Sequence, residues 1–332
     1  MTSQRSLTLA FTLLTLATLL GLGASIFIGR FPIAPNKAVE TLRTNALAYQ
    51  LVFNLRLPRI LAAFLLGAAL SASGMVMQML FQNPLVEPGF LGVSQGAAFG
   101  AALAILSFAA SPLWIQLSAA FFALLGLVFS YFLAARLRYG GWVLRMVLAG
   151  IAVSALLASG VGLLKYLADP LTQLPAITFW LLGGLWGTRW QNLLSILPVV
   201  LPALLALFLA RWRLNVLSLG DETAFSLGTA PGRERTILLL LSVAATSSVI
   251  SIAGMVGWVG LIVPHLARRF FTANTQYALP AAMLAGGLFT LLCDDIARSL
   301  LPGEIPLGII TSLIGALVFA FLMSTQPLKT SR

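Results

Sequence analysis

The chain has 332 residues, of which 59% are hydrophobic and only 9% charged, with a formal net charge of +11. A typical soluble domain is ~25% charged, so a soluble fold is excluded, and the mean hydropathy of +0.98 agrees. The positive charge would suggest nucleic acid in a soluble protein. Here the basic residues border apolar runs, so membrane topology accounts for them and no nucleic-acid partner is expected.

Taken in order, the sequence predicts ten apolar segments at 7–28, 57–80, 91–110, 114–135, 146–167, 191–210, 236–253, 255–270, 277–299 and 305–325. Alternating strand-like patterns are absent, which argues against a barrel and for an all-α polytopic membrane protein. The first run, "SLTLAFTLLTLATLLGLGASIFI", carries no charge. It exceeds the ~7–15-residue core of a signal peptide and reads as a retained first span. The eighth segment is short and interrupted by Gly257, Gly260 and Pro264, so a plain helix is not expected there. The expected domain is a single transmembrane unit over residues 1–332.

Basic clusters at 136–145 and 211–235, with Arg5, Arg268, Arg269, Lys329 and Arg332, favour both termini on the cytoplasmic side. An internal echo supports the count: "SASGMVMQMLFQNP" (71–84) and "SIAGMVGWVGLIVP" (251–264) share Ser, Gly, Met, Val and Pro in register. Five spans would separate the copies, and an odd number inverts one half, as in transporters built from inverted repeats. Two similar apolar helices would give the same echo.

No catalytic constellation is visible. His265 is the only histidine, and Cys293 the only cysteine, lies in a predicted span; neither a metal cluster nor a disulfide is expected. No Gly-Lys dipeptide occurs, so the phosphate-gripping loop of ATPases is missing. No enzyme activity and no cofactor are expected of the chain itself.

One stretch contrasts with this apolar background: "LSLGDETAFSLG" (217–228), in the inner loop 211–235 between spans six and seven. Ser218 and Asp221 fit a capping pattern, and Asp221 and Glu222 suit the positive end of a helix dipole. Gly228 provides a C-terminal stop. A helix of about nine residues, ~14 Å long, is too short to span. A solvated loop helix or a docking element for a soluble partner both fit.

The stretches "RLPRILAAFLLGAALSASGMVMQMLFQNPLVEPGFLGVSQGAAFGA" (56–101), "LSLGDETAFSLG", "GWVGLIVPHLARRF" (257–270) and "GEIPLGIITSLIGALVF" (303–319) resemble the FecCD-type permeases. These are membrane subunits of ABC importers for iron–siderophores, haem, vitamin B12 and some oxyanions. Leu317 and Asp295 depart from the family pattern. The resemblance implies ten spans in an inner (plasma) membrane and a homodimer with a central pathway. It also implies two cytoplasmic ATP-binding subunits and a periplasmic or lipoprotein substrate-binding protein. Leu219, Gly220, Asp221, Glu222, Phe225 and Gly228 would form the coupling helix that seats in the ATPase. Arg56, Arg59 and Arg298 match arginines that receive glutamates of the binding protein in the vitamin B12 permease. Snorkelling, or an Arg298–Asp294 pair within one helix, is the plainer role. In "LPAITFWLLGGLWGTRWQN" (174–192), Trp180, Trp186, Arg189 and Trp190 fit cargo contact or bilayer anchoring equally. An iron chelate is the expected cargo, with haem, cobalamin and molybdate as alternatives. A proton-coupled secondary transporter is the rival from another class, with Asp294 and Asp295 as its carboxylates.

Overall fold

The computed structural model describes residues 4–29, 31, 38–108 and 111–324. Lys329 and Arg332, assigned to the inner side from the sequence, lie outside them, as do the ends of the expected segments at 109–110 and 325. The described residues form helices and no strands: α1 (Gln4–Phe27), α2 (Ala38–Thr44), α3 (Ala46–Gln50), α4 (Leu57–Leu80), α5 (Val93–Ser107), α6 (Pro112–Arg136), α7 (Trp142–Leu167) and α8 (Gln173–Leu182). Then follow α9 (Trp190–Leu209), α10 (Arg211–Leu217), α11 (Asp221–Ser226), α12 (Pro231–Ala253), α13 (Val259–Phe270), α14 (Thr275–Ser299) and α15 (Leu307–Ser324). Within lipid each backbone N–H and C=O must be satisfied internally, and helices do this segment by segment.

Eight described helices are long and apolar enough to cross a membrane, and α5 and α13 complete the ten expected segments with shorter helices. α4 is the central post. It packs against α12, α13 and α14, and nearly all of its residues from Ala62 to Leu80 are buried. Small residues permit this: a Cβ on Gly67 would lie 1.9 Å from the Gly286 carbonyl oxygen, and one on Gly74 would lie 1.9 Å from that of Gly260. Lipid supplies no hydrophobic drive between helices, so such close backbone approach is where packing energy is gained.

Two boundaries differ from expectation. The second span is preceded by a π-helical turn, Leu51–Arg56, and continues unbroken from α3. Asn54, Arg56 and Arg59 end the apolar run, not the helix. Second, the break near the eighth segment begins earlier than expected, at Gly254; it includes Gly257 but neither Gly260 nor Pro264. α12 stops at Ala253, Gly254 and Trp258 take positive φ values of 66° and 72°, and Gly260 and Pro264 lie inside α13.

The two echoing stretches meet in space. Gly74 presses on Gly260, and the Gln78 amide donates to the carbonyls of Gly260 (3.3 Å) and Leu261 (3.0 Å). Their local structures diverge: Gly74 sits inside a helix, whereas Gly254 ends one.

Candidate functional site

At one end of the bundle the loop from α9 to α12 folds into two short helices. α10 is fastened to the start of α14: Thr275 Oγ1 donates to the Arg211 carbonyl (2.6 Å), and Arg211 Nε donates to that of Gln276 (3.0 Å). Arg213 pairs with Glu234 at 2.5 Å and Arg235 with Asp221 at 2.6 Å, which bind the loop to the start of α12. The flanking arginines therefore hold the loop by ion pairs and backbone bonds.

α11 covers six residues, shorter than expected, with Asp221 and Glu222 in its first turn. Its N-cap is Gly220, not Ser218, whose hydroxyl instead donates to the Asn215 carbonyl at the end of α10 (2.7 Å). Gly228 follows with φ of 80°, the left-handed residue that stops the helix. Ala224 is buried and its carbonyl accepts the Thr229 hydroxyl (2.6 Å), so one face is anchored. The other face presents Phe225, 73% exposed, with Leu219 and Leu227 also exposed. An apolar knob beside two carboxylates is more than solvation requires.

At the end where α4 starts and α14 stops, a network of charges joins residues far apart in sequence. Arg59 grips Asp294 with Nε and Nη2 at 2.9–3.1 Å, and its Nη1 takes both oxygens of Glu304 at 2.9–3.0 Å. Arg298 bonds Asp295, three residues earlier, and donates to the Ser25 carbonyl (2.6 Å), while Asp294 stands 3.8 Å away. The Ser25 hydroxyl donates to Asp295 (2.6 Å), which ties α1 into the network. Arg56 donates to the carbonyls of Ile26 (2.7 Å) and Phe31 (2.6 Å). Arg56 and Arg298 are only 6% and 5% exposed, so internal partners hold both. All three arginines nevertheless line one cavity of about 280 Å³, with Glu304, Leu185 and Thr188. The expected intrahelical pair with Asp294 exists, but Asp295 is the closer partner.

The aromatic segment divides. Trp190 donates its indole N–H to the Phe53 carbonyl (2.7 Å), and Trp180 packs on the core. Trp186 is partly exposed with its ring against Phe179, and Arg189 is exposed at the start of α9. Sequence reasoning did not single out Glu304, Leu227 or Glu87. Glu304 is recognised only by Arg59, 245 residues away, and Leu227 resembles any other leucine. Glu87 stood in "NPLVEPG", an acid in an otherwise apolar stretch, and that contrast was a usable signal.

A model of the FecCD transport family matches residues 14–325. The chain is 39% identical to the molybdate import system permease protein of Haemophilus influenzae over 93% of this chain and 94% of that one. It is 39% identical to the hemin transport system permease protein of Yersinia pestis, over 85% and 86% of the two chains. Its fold matches a solved inward-facing conformation of an ABC transporter of metal-chelate type with a TM-score of 0.87 at 37% identity, covering 94% of this chain and 98% of that one. The family consists of permease subunits of ABC importers, which are not themselves catalytic and work in a membrane with an ATPase and a substrate-binding protein. With its multi-pass helices and the family match over nearly its whole length, the chain belongs to the FecCD transport family.

Proposed function

We propose that the chain is one half of a homodimer that moves an iron chelate through the plasma membrane, with both termini cytoplasmic and residues 1–332 forming one permease domain. The observation that carries this reading is α11. A short helix is clamped to the bundle by Arg235–Asp221 and turns Phe225 outward beside Glu222. Such a helix is a handle: closure of two ATPase subunits around Leu219, Gly220, Asp221, Glu222, Phe225 and Gly228 would move the bundle without chemistry in this chain. At the opposite end, the cavity holding Arg56, Arg59 and Arg298 suits an acidic side chain of the binding protein. Trp186 and Arg189 are left to meet cargo. Metal-chelate and hemin systems among the similar proteins support an iron chelate. The molybdate permease relative supports an oxyanion as the second reading.

The test is co-reconstitution in lipid with the ATPase subunit. Asp221→Lys with Glu222→Lys should lose the ATPase in pull-down while still capturing the binding protein. Loss of the binding protein with the ATPase retained would invert the assignment of the two ends. Uptake of ferric chelate against molybdate in the intact assembly separates the two cargoes.

A further inference from the structure

Between the loop that follows α4 and the break after α12 lies a cavity of about 360 Å³ that neither docking surface uses. Its polar wall is made of Glu87, Ser94, Gln95, Ser154 and Thr246. Thr246 is 0% exposed, and its Oγ1 finds no hydrogen-bond partner among the described residues. A buried hydroxyl without a partner is destabilising, so native proteins fill such a place with water or an ion. Non-helical backbone at Met255, Val256 and Gly257 closes the same cavity. At membrane depth, irregular backbone is tolerated where it lines a polar cavity, and the C-terminal end of a broken helix there favours cations. The last turn of α12, the negative end of its dipole, reaches the cavity through Ile250.

Glu87 identifies the charge of the occupant. It faces the cavity and pairs with no Lys, Arg or His among the described residues. It accepts the backbone N–H of Trp258, at the start of α13. A helix N-terminus offers only about half a positive charge, which leaves the carboxylate undercompensated. Every other donor is a neutral oxygen, and among the described residues no three His, Cys, Asp or Glu side chains cluster as a divalent metal would need. One carboxylate with hydroxyl, amide and carbonyl oxygens matches one unit of positive charge on a hard ion.

We propose that this cavity is a binding site for a sodium-like monovalent cation, held by Glu87 and Thr246 at the break between α12 and α13. The site is separate from the coupling helix and from the arginine cavity, so its test does not depend on the cargo.

The experiment uses the full-length protein in lipid nanodiscs and radioactive sodium as the probe, with N-methylglucamine holding ionic strength constant. Binding should saturate at one ion per chain. Thr246→Val, which removes one oxygen ligand, should weaken it about tenfold. Thr246→Ser, which keeps the hydroxyl, should bind as the parent does. Glu87→Gln should abolish saturation. Should Glu87→Gln fail to fold, the Val and Ser variants still decide. No saturable sodium binding, or equal binding in the Val and Ser variants, overturns the proposal and leaves a water-filled cavity with a protonated carboxyl.

Discussion

Asp294 gives the most decisive test of how the bundle is held. It is 0% exposed and receives three hydrogen bonds from Arg59, with Arg298 close by. Asp294→Asn keeps the volume and removes the charge, leaving Arg59 in a setting where its side chain is 12% exposed. Breaking a buried pair from one side costs about 3–5 kcal/mol, because the other charge is stranded. That corresponds to a roughly hundred- to several-thousand-fold rise in the open population. Glu304→Gln removes the other partner of Arg59, but Glu304 is 31% exposed and water replaces what is lost. Its cost should be about 0–1 kcal/mol. The protein carries its own reporter: Cys293, the single cysteine, is buried next to Asp294. Labelling by a thiol-reactive fluorophore in nanodiscs, normalised to the denatured chain, reads the open population directly. Asp294→Asn should label far faster than Glu304→Gln. Arg59→Met with Asp294→Leu should label more slowly than Asp294→Asn alone, since an apolar pair strands no charge. If Asp294→Asn labels no faster than Glu304→Gln, the network does not hold the helices.

Other consequences follow from single side chains. Phe225→Ala should weaken ATPase binding at least tenfold while leaving labelling of Cys293 unchanged, because an exposed aromatic anchor contributes about 2 kcal/mol or more at an interface; equal affinity in pull-down titration would count against α11 as the contact. Arg56→Gln should slow association of the binding protein at low salt, with a smaller effect once the ~10 Å screening length at 0.1 M is shortened; an unchanged rate across the salt series would remove Arg56 from the docking surface. Gly308→Ala should leave ATP hydrolysis in the assembled complex and depress cargo uptake, since its Cβ would fall 2.4 Å from the Leu182 carbonyl oxygen and 2.8 Å from that of Met255. Uptake at the parental rate would show that α15 and the break need not stay in backbone contact.

The bundle was legible from the sequence because its signal is local. Twenty apolar residues in a row announce a span whatever they pack against. Burial is not local, and the sequence could not rank the helices. Both α1 and α4 carry long apolar runs, yet α4 is buried along most of its length while α1 buries only Thr18 and Ser25. The difference lies in the small residues Gly67, Ser71 and Gly74, which let α4 approach α13 and α14 at backbone distance. The helix break shows the same limit. Of the three expected breakers Gly257 does lie in the break, but Gly260 and Pro264 lie inside α13. There Pro264 gives up the N–H that would reach the Gly260 carbonyl, and the Gln78 amide donates to that oxygen in its place (3.3 Å). The turn is made instead at Gly254, where a Cβ would stand 2.2 Å from the Trp180 carbonyl oxygen.

The site was legible where one motif carried it, and opaque where two distant stretches had to meet. "LSLGDETAFSLG" holds its own stop, its own acids and its own apolar knob; its cap residue and its length differ from expectation. The arginines of α4 and α14 were equally visible, but their surroundings were not. Asp294 and Glu304 lie 235 and 245 residues from Arg59, and no spacing rule reaches that far. Asp295, a departure from the family pattern, is accounted for by two neighbours: Arg298 one turn on, and Ser25 across the gap to α1. A carboxylate that gains a cation and a hydroxyl is compensated where it stands, so this departure can be accommodated without opening the packing of α14. The same reasoning sets Asp294 and Asp295 apart from the carboxylates a proton-coupled carrier would use. Both are committed to arginines, whereas Glu87, beside the helix break, has no cationic partner among the described residues.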